Sequence, residues 1–176
     1  MIDGNKLWSC VGSAGIVNPA DIGKVVFAGP VAQMPGVVVA PPHAAERAVV
    51  RPQMKAVIRY PVTPVDGVAL QSNPIERYVL RVLARLGRGG IHVRFLEVPI
   101  VTGPTPEIGE TALFDFPIQN AHAGFNITNF SNVSAGELNF VNNCHYVEIT
   151  LSEAIGPVAL DPPGIALIQL VHTTNF

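Results

Sequence analysis

Charge is what this sequence has least of. Asp, Glu, Lys and Arg make up 14% of its 176 residues, against about 25% in an ordinary globular domain. A folded chain normally covers its exterior with charge, so part of this exterior is expected to be apolar or uncharged polar. Cysteine is scarce as well. Cys10 and Cys144 are the only two, too few for a disulfide framework. They read either as one bridge between adjacent strands or as two buried thiols. Trp8, Tyr60, Tyr78 and Tyr146 are the only Trp and Tyr residues, so an aromatic platform for sugar rings is poorly supplied.

Other absences exclude whole classes. No run of about 18 apolar residues occurs, so no membrane-spanning helix is expected. The net charge is −2, with no basic arm. Nucleic acid and membrane insertion are therefore not expected among the partners. The segment from Met1 to Trp8 has neither a basic n-region nor an apolar h-region. No signal peptide is expected from it, which leaves the cytoplasm as the default compartment.

What is abundant is punctuation. Sixteen prolines and 16 glycines are spread along the chain. Proline inside a helix removes a hydrogen bond and clashes with the preceding turn, so long helices have few places to sit. Short strands alternate with turn signals instead. Lys55 to Val62 places Ala56, Ile58, Tyr60 and Val62 on one face, the period of a half-buried strand. Pro61 cannot donate to a ladder, so its end of that strand belongs at an edge. Cys144 to Leu151 alternates likewise, with His145, Val147, Ile149 and Leu151 together. Further strands are expected at Leu7–Val11, Lys24–Ala28, Val37–Ala40, Ile91–Val101, Thr111–Ile118 with a break at Pro117, Gly124–Phe130, Glu137–Val141 and Gly164–His172. Gly12-Ser13-Ala14-Gly15 and Asn18-Pro19-Ala20-Asp21 carry turn chemistry. His43 to Val50 reads as a short helix or an edge strand.

Asn73 to Gly87 fits two structures. As a helix, Asn73 caps, Pro74 takes the first position and Gly87 stops it. As a strand, Tyr78, Leu80, Val82, Ala84 and Leu86 line one face, and Arg77, Arg81 and Arg85 mark the other. The strand is taken, with Gly87-Arg88-Gly89-Gly90 as the tip of a hairpin to Ile91–Val101, because neighbouring strands tend to pair locally. On such a hairpin Arg77, Arg81, Arg85, Arg88 and Arg94 would form a positive stripe. The whole chain, 1–176, is expected to be a single domain. Its fold class is all-β: a two-sheet antiparallel β-sandwich, jelly-roll-like, of about ten strands with at most short helices.

Catalytic patterns are missing. The five histidines, His43, His92, His122, His145 and His172, show no His-x-His or His-Glu-x-x-His spacing. A metal site would have to be assembled from separate strands, for example from His92, His122 and His145. Glu97, Glu110, Asp115 and Glu148 could be nominated as paired carboxylates, but Glu148 is expected to face solvent or a neighbouring subunit. There is no Gly-x-Ser-x-Gly, and Cys144 and His145 would point to opposite faces of one strand. No cofactor is expected, and the chain is read as a non-enzyme. The segment from Asn126 to Ser134 holds three successive Asn-x-Ser/Thr triplets. Phe125, Asn126, Thr128, Asn129, Phe130 and Asn132 are candidate surface residues there, either for a carbohydrate or for a neighbouring chain.

Three stretches carry a resemblance. They are Trp8-Ser9-Cys10 followed by Gly15-Ile16-Val17-Asn18-Pro19-Ala20-Asp21; Ala56-Val57-Ile58-Arg59-Tyr60 with Val65-Asp66-Gly67; and Asn139-Phe140-Val141-Asn142-Asn143 leading into Tyr146-Val147-Glu148-Ile149. Together they resemble a loose group of uncharacterised β-rich bacterial proteins, which implies a β-rich fold and a bacterial source and carries no activity. The sequence therefore leaves three functional expectations. The first is a structural protein that self-associates through apolar and strand-edge surfaces into a homo-oligomer, shell or filament. The second is a carbohydrate- or small-ligand-binding module. The third is a metal-dependent enzyme with scattered histidine ligands.

Overall fold

The computed structural model describes residues 5–35, 54–63, 77–87, 89–100, 109–118, 124–130, 138, 142–153 and 162–173. They form eleven strands: β1 (Asn5–Val11), β2 (Ile16–Val17), β3 (Val26–Ala28), β4 (Val31–Gln33), β5 (Lys55–Val62), β6 (Arg77–Arg85), β7 (Gly90–Pro99), β8 (Thr111–Ile118), β9 (Asn126–Phe130), β10 (Asn143–Ser152) and β11 (Gly164–Thr173). Two single 3-10 turns, Gly12–Ala14 and Pro19–Asp21, are the only helical elements among the described residues. Asn18 accepts from the Ala20 amide and opens the second turn. The strands expected at 37–40 and 137–141, and the segment 43–50, lie outside the described residues, apart from Leu138.

All pairings are antiparallel and fall into two sheets. The first runs β3-β4-β11-β6-β9, with β1 also on β11. The second runs β2-β5-β10-β7-β8. Without the short β2, β3 and β4, the first sheet is β1-β11-β6-β9 and the second is β5-β10-β7-β8. Among these eight, successive strands cross from one sheet to the other, except at β7–β8. This is the strand order of a jelly roll.

The alternation in the sequence becomes the core. Ala56, Ile58, Tyr60 and Val62 face inward from β5, and Val147, Ile149 and Leu151 from β10. Leu80, Val82, Ala84 and Leu86 face them from the first sheet. Burying each such large aliphatic or aromatic side chain contributes roughly 1.5–3 kcal/mol before conformational entropy offsets it. Pro61 lies beyond the reach of β2, which pairs only with Ile58 and Arg59.

Two corrections concern pairing. Arg77–Arg85 is a strand, but it makes no hairpin with β7. β6 pairs with β11 and β9 in the first sheet, and β7 with β10 and β8 in the second. The glycines after β6 turn the chain from one sheet to the other. Gly87 takes a positive φ of 56°, and a Cβ on Gly89 would come within 2.3 Å of the Ser152 carbonyl oxygen. Turn chemistry announces a reversal but does not choose the partner of the strand that follows. The second correction concerns the thiols. Cys10 and Cys144 are both free, Cys10 half-buried and Cys144 exposed. They sit in different sheets, so neither the bridge nor the pair of buried thiols holds.

The turn Gly12–Ala14 carries the chain from the first sheet to the second and is held tightly. The Tyr60 hydroxyl, fully buried, donates to the Gly12 carbonyl at 2.8 Å. Burial raises the pKa of that phenol, so it stays a donor. Asp21 secures the next loop. Its carboxylate accepts from Lys24 at 2.6 Å and from the Val57 amide at 3.0 Å. The Asn18 amide donates to the Val57 carbonyl.

Candidate functional site

The two sheets present very different outer faces. On the first sheet, Val11, Leu167, Leu83 and Ile127 stand directly opposite one another on β1, β11, β6 and β9. Their neighbours Cys10, Ile168 and Val82 belong to the core, so this row points away from it. Val11 is 43% and Ile127 65% exposed. The next outward row is Ser9, Gln169, Arg81 and Asn129, uncharged apart from Arg81. The low charge of the sequence thus becomes a place: an aliphatic band four strands wide beside a polar one. Further apolar side chains are exposed on the short edge strand β3 and just before it, at Ile22, Val26 and Phe27. Within the described residues β3 pairs only with β4, leaving one of its edges open.

The segment singled out for a ligand is divided by this geometry. Asn126–Phe130 is the edge strand β9. Asn126 and Thr128 stand opposite Ala84 and Val82, on the core side of the sheet, whereas Ile127 and Asn129 lie outward with Leu83 and Arg81. Phe130 is in register with Leu80. Phe125 lies under the Arg85 guanidinium, 5.0 Å from ring centroid to carbon. Asn132 lies outside the described residues. The positive stripe is dispersed. Arg81 and Arg85 are on the first sheet and Arg94 on the second, with Arg77 at the start of β6. Arg85 is also tied down, donating to Gln33 at 2.9 Å and to the Pro162 carbonyl at 3.1 Å. Arg88 lies outside the described residues.

The outer face of the second sheet gathers the charges. Arg59, Glu148, Arg94 and Asp115 are in register across β5, β10, β7 and β8. Glu148 receives Arg59 at 2.9 Å and Arg94 at 3.1 Å. Asp115 lies 2.7 Å from His92 and 3.5 Å from Arg94. Glu148 lies on the outward face, opposite the apolar one, where the two guanidinium groups leave it only 7% exposed. Glu110 accepts from the Tyr146 hydroxyl and lies 3.8 Å from Arg59, which itself stacks over the Tyr146 ring. Burial first, and then the Glu110 carboxylate, push the Tyr146 phenol up to about 12. Period-2 alternation would have shown Arg59, Arg94 and Glu148 outward. The register that aligns them was not legible.

One ionisable pair lies on the inner side. His145 is buried, with its Nε2 2.9 Å from a Glu97 oxygen and its ring 5.8 Å from that of Phe95. Desolvation lowers its pKa, and Glu97 only partly opposes that. His145 and Cys144 do point to opposite faces, as their adjacency predicts. His92 belongs to the outer row, so His92 and His145 are separated by the sheet and share no site. His122 lies outside the described residues. Among the described residues no cluster of three His, Cys, Asp or Glu side chains could hold a metal ion, and no helix is long and apolar enough to cross a membrane. Burial raises the pKa of the Cys10 thiol, the opposite of an activated nucleophile. Compared with protein families and with curated proteins, the chain matches none.

Proposed function

We propose that this protein is a non-enzymatic structural subunit that associates with copies of itself, and that the outer face of its first sheet is the principal contact. The observation that carries the reading is the aliphatic row Val11, Leu167, Leu83 and Ile127. Aliphatics aligned across four strands, exposed at Val11 and Ile127 and half-buried at Leu83 and Leu167, mark a surface that gains free energy when covered. The edge of β3 that has no partner strand among the described residues, with Val26 and Phe27 exposed, supports a second, strand-edge contact in a larger homo-oligomer, shell or filament. Sedimentation equilibrium of the purified chain and of Ile127→Lys tests the reading. The unmodified chain is expected to associate, and the variant to shift toward monomer. A monomeric unmodified chain at high concentration would sink the proposal.

A second reading, a carbohydrate-binding face, draws on the polar row Ser9, Gln169, Arg81 and Asn129 beside the aliphatic one. A glycan-array screen checks it, and an array without signal removes it.

A further inference from the structure

The charged row on the second sheet has a symmetry of its own. Taken across β5, β10, β7 and β8, Arg59, Glu148, Arg94 and Asp115 read plus, minus, plus, minus. Reversing the row end for end exchanges every plus with a minus. A second copy laid on this face, about a two-fold axis parallel to the strands and running between β10 and β7, has that reversed order. Arg59 of each copy then meets Asp115 of the other, and Glu148 meets Arg94. The alternative in-plane axis, across the strands, would set Arg59 on Arg59 and Glu148 on Glu148, which like-charge repulsion disfavours.

The surroundings fit the first arrangement. In the row beyond, Thr150 on β10 and His92 on β7 are in register, and the same axis sets Thr150 of one copy on His92 of the other without opposing like charges. Glu110, over Tyr146 and 3.8 Å from Arg59, brings a further carboxylate to the Arg59 end of the row. His92 lies 2.7 Å from Asp115, on the opposite side of the row from Glu110. The outer members of the row are accessible, with side chains 46% exposed at Arg59 and 50% at Asp115. Sheets packed face to face lie about 10 Å apart, within the combined reach of an arginine and an aspartate.

We propose that the outer face of the second sheet is a two-fold contact between two copies of this chain, with its orientation set by this self-complementary row. The proposal rests on the self-association reading but uses the opposite side of the sandwich, so the two can fail separately. An interface built on charge pairs specifies geometry more than it supplies affinity, and it weakens as salt rises.

The test exploits the pairing of unlike ends. In an Ile127→Lys background, which removes the aliphatic contact, Arg59→Asp and Asp115→Arg are made separately. Each variant alone opposes like charges at both ends, whereas an equimolar mixture of the two restores opposite charges at both ends. Sedimentation velocity at low salt is expected to show each single variant weakened about tenfold or more, with the mixture recovering the association of the background chain. A mixture no stronger than its components overturns the proposal. If circular dichroism shows either reversal unfolded, Arg59→Gln and Asp115→Asn replace them. Each is expected to weaken association, and unchanged association overturns the proposal equally. Should Ile127→Lys dissociate the chain further while the charge variants change nothing, the charged face falls and the aliphatic contact stands. The converse result leaves the charged face standing without the aliphatic one, and a chain monomeric under all conditions removes both.

Discussion

Gly12→Ala is the most demanding perturbation the fold offers. A Cβ at Gly12 would lie 1.9 Å from the Ile165 carbonyl oxygen and 2.7 Å from its carbonyl carbon. Both are backbone atoms of β11, whose partners β1, β4 and β6 hold it in place. Relief therefore has to come from the turn, and the turn carries the carbonyl that accepts from buried Tyr60 at 2.8 Å. Overpacking of a rigid site costs about 1–3 kcal/mol, and leaving the Tyr60 hydroxyl without its acceptor costs about 1–3 kcal/mol more. The combined loss is about 2–6 kcal/mol. At about 2–4 °C per kcal/mol for a chain of this size, the melting temperature falls by roughly 4 °C at the least. Gly124→Ala is the control. Among the described residues nothing lies within 4 Å of its Cβ position, so it is expected to be neutral or to stabilise by about 0.4–1 kcal/mol through the unfolded chain. Urea titration of both variants measures the difference. A Gly12→Ala loss below about 1 kcal/mol would refute the reasoning and show that the turn moves freely over β11.

Asp21→Ala removes an acceptor shared by Lys24 and the Val57 amide and is expected to cost about 1.5–3 kcal/mol, read by the same titration. The Asp21 pKa is lowered, chiefly by the Lys24 hydrogen bond, so its stabilisation is present above the ordinary carboxylate range and lost as pH falls through the folded value. That acid limb should be absent from the variant. His145 behaves analogously from the cationic side. Burial holds its pKa below 6.5, so the unfolded chain takes up the proton first, and stability should drop as pH falls below about 6.5. His145→Asn should flatten that drop, and an unchanged slope would clear His145 of the effect. Glu148→Gln leaves Arg59 and Arg94 around a neutral amide. A loss of about 1–3 kcal/mol is expected at low salt, with less at high salt as the repulsion between the guanidinium groups is screened. Thermal melts at two ionic strengths check it.

Local features of the fold were legible where one residue's neighbours in sequence decide its state. β5 and β10 follow from strict alternation, and Thr111–Ile118 is a strand with the expected bounds, although it runs through Pro117 without the expected break. β6 shows the limit. Its period of two survives as a strand, yet the same glycine-rich turn serves a hairpin and a crossover equally well. Only the competition among β7, β9 and β11 for its edges settles the partner. The short β2 and β4, of two and three residues, carry too few positions to show any period and exist because β5 and β11 offer them edges.

The candidate surfaces divide along the same line. Sparse charge and a large apolar fraction are properties of composition, and they required an exterior poor in charge wherever the chain folded. Which residues share that exterior is a matter of register. Val11, Leu83, Ile127 and Leu167 are far apart in sequence, as are Arg59, Arg94, Asp115 and Glu148. Each group becomes a row because antiparallel pairing sets distant residues opposite one another at a spacing of about 4.8 Å, and a slip of one residue would turn either row to the other face of its sheet. Sequence thus determined that this protein has an exterior poor in charge and strands to display it on. Tertiary structure alone decided that one aliphatic row forms across the first sheet and a row of ion pairs across the second.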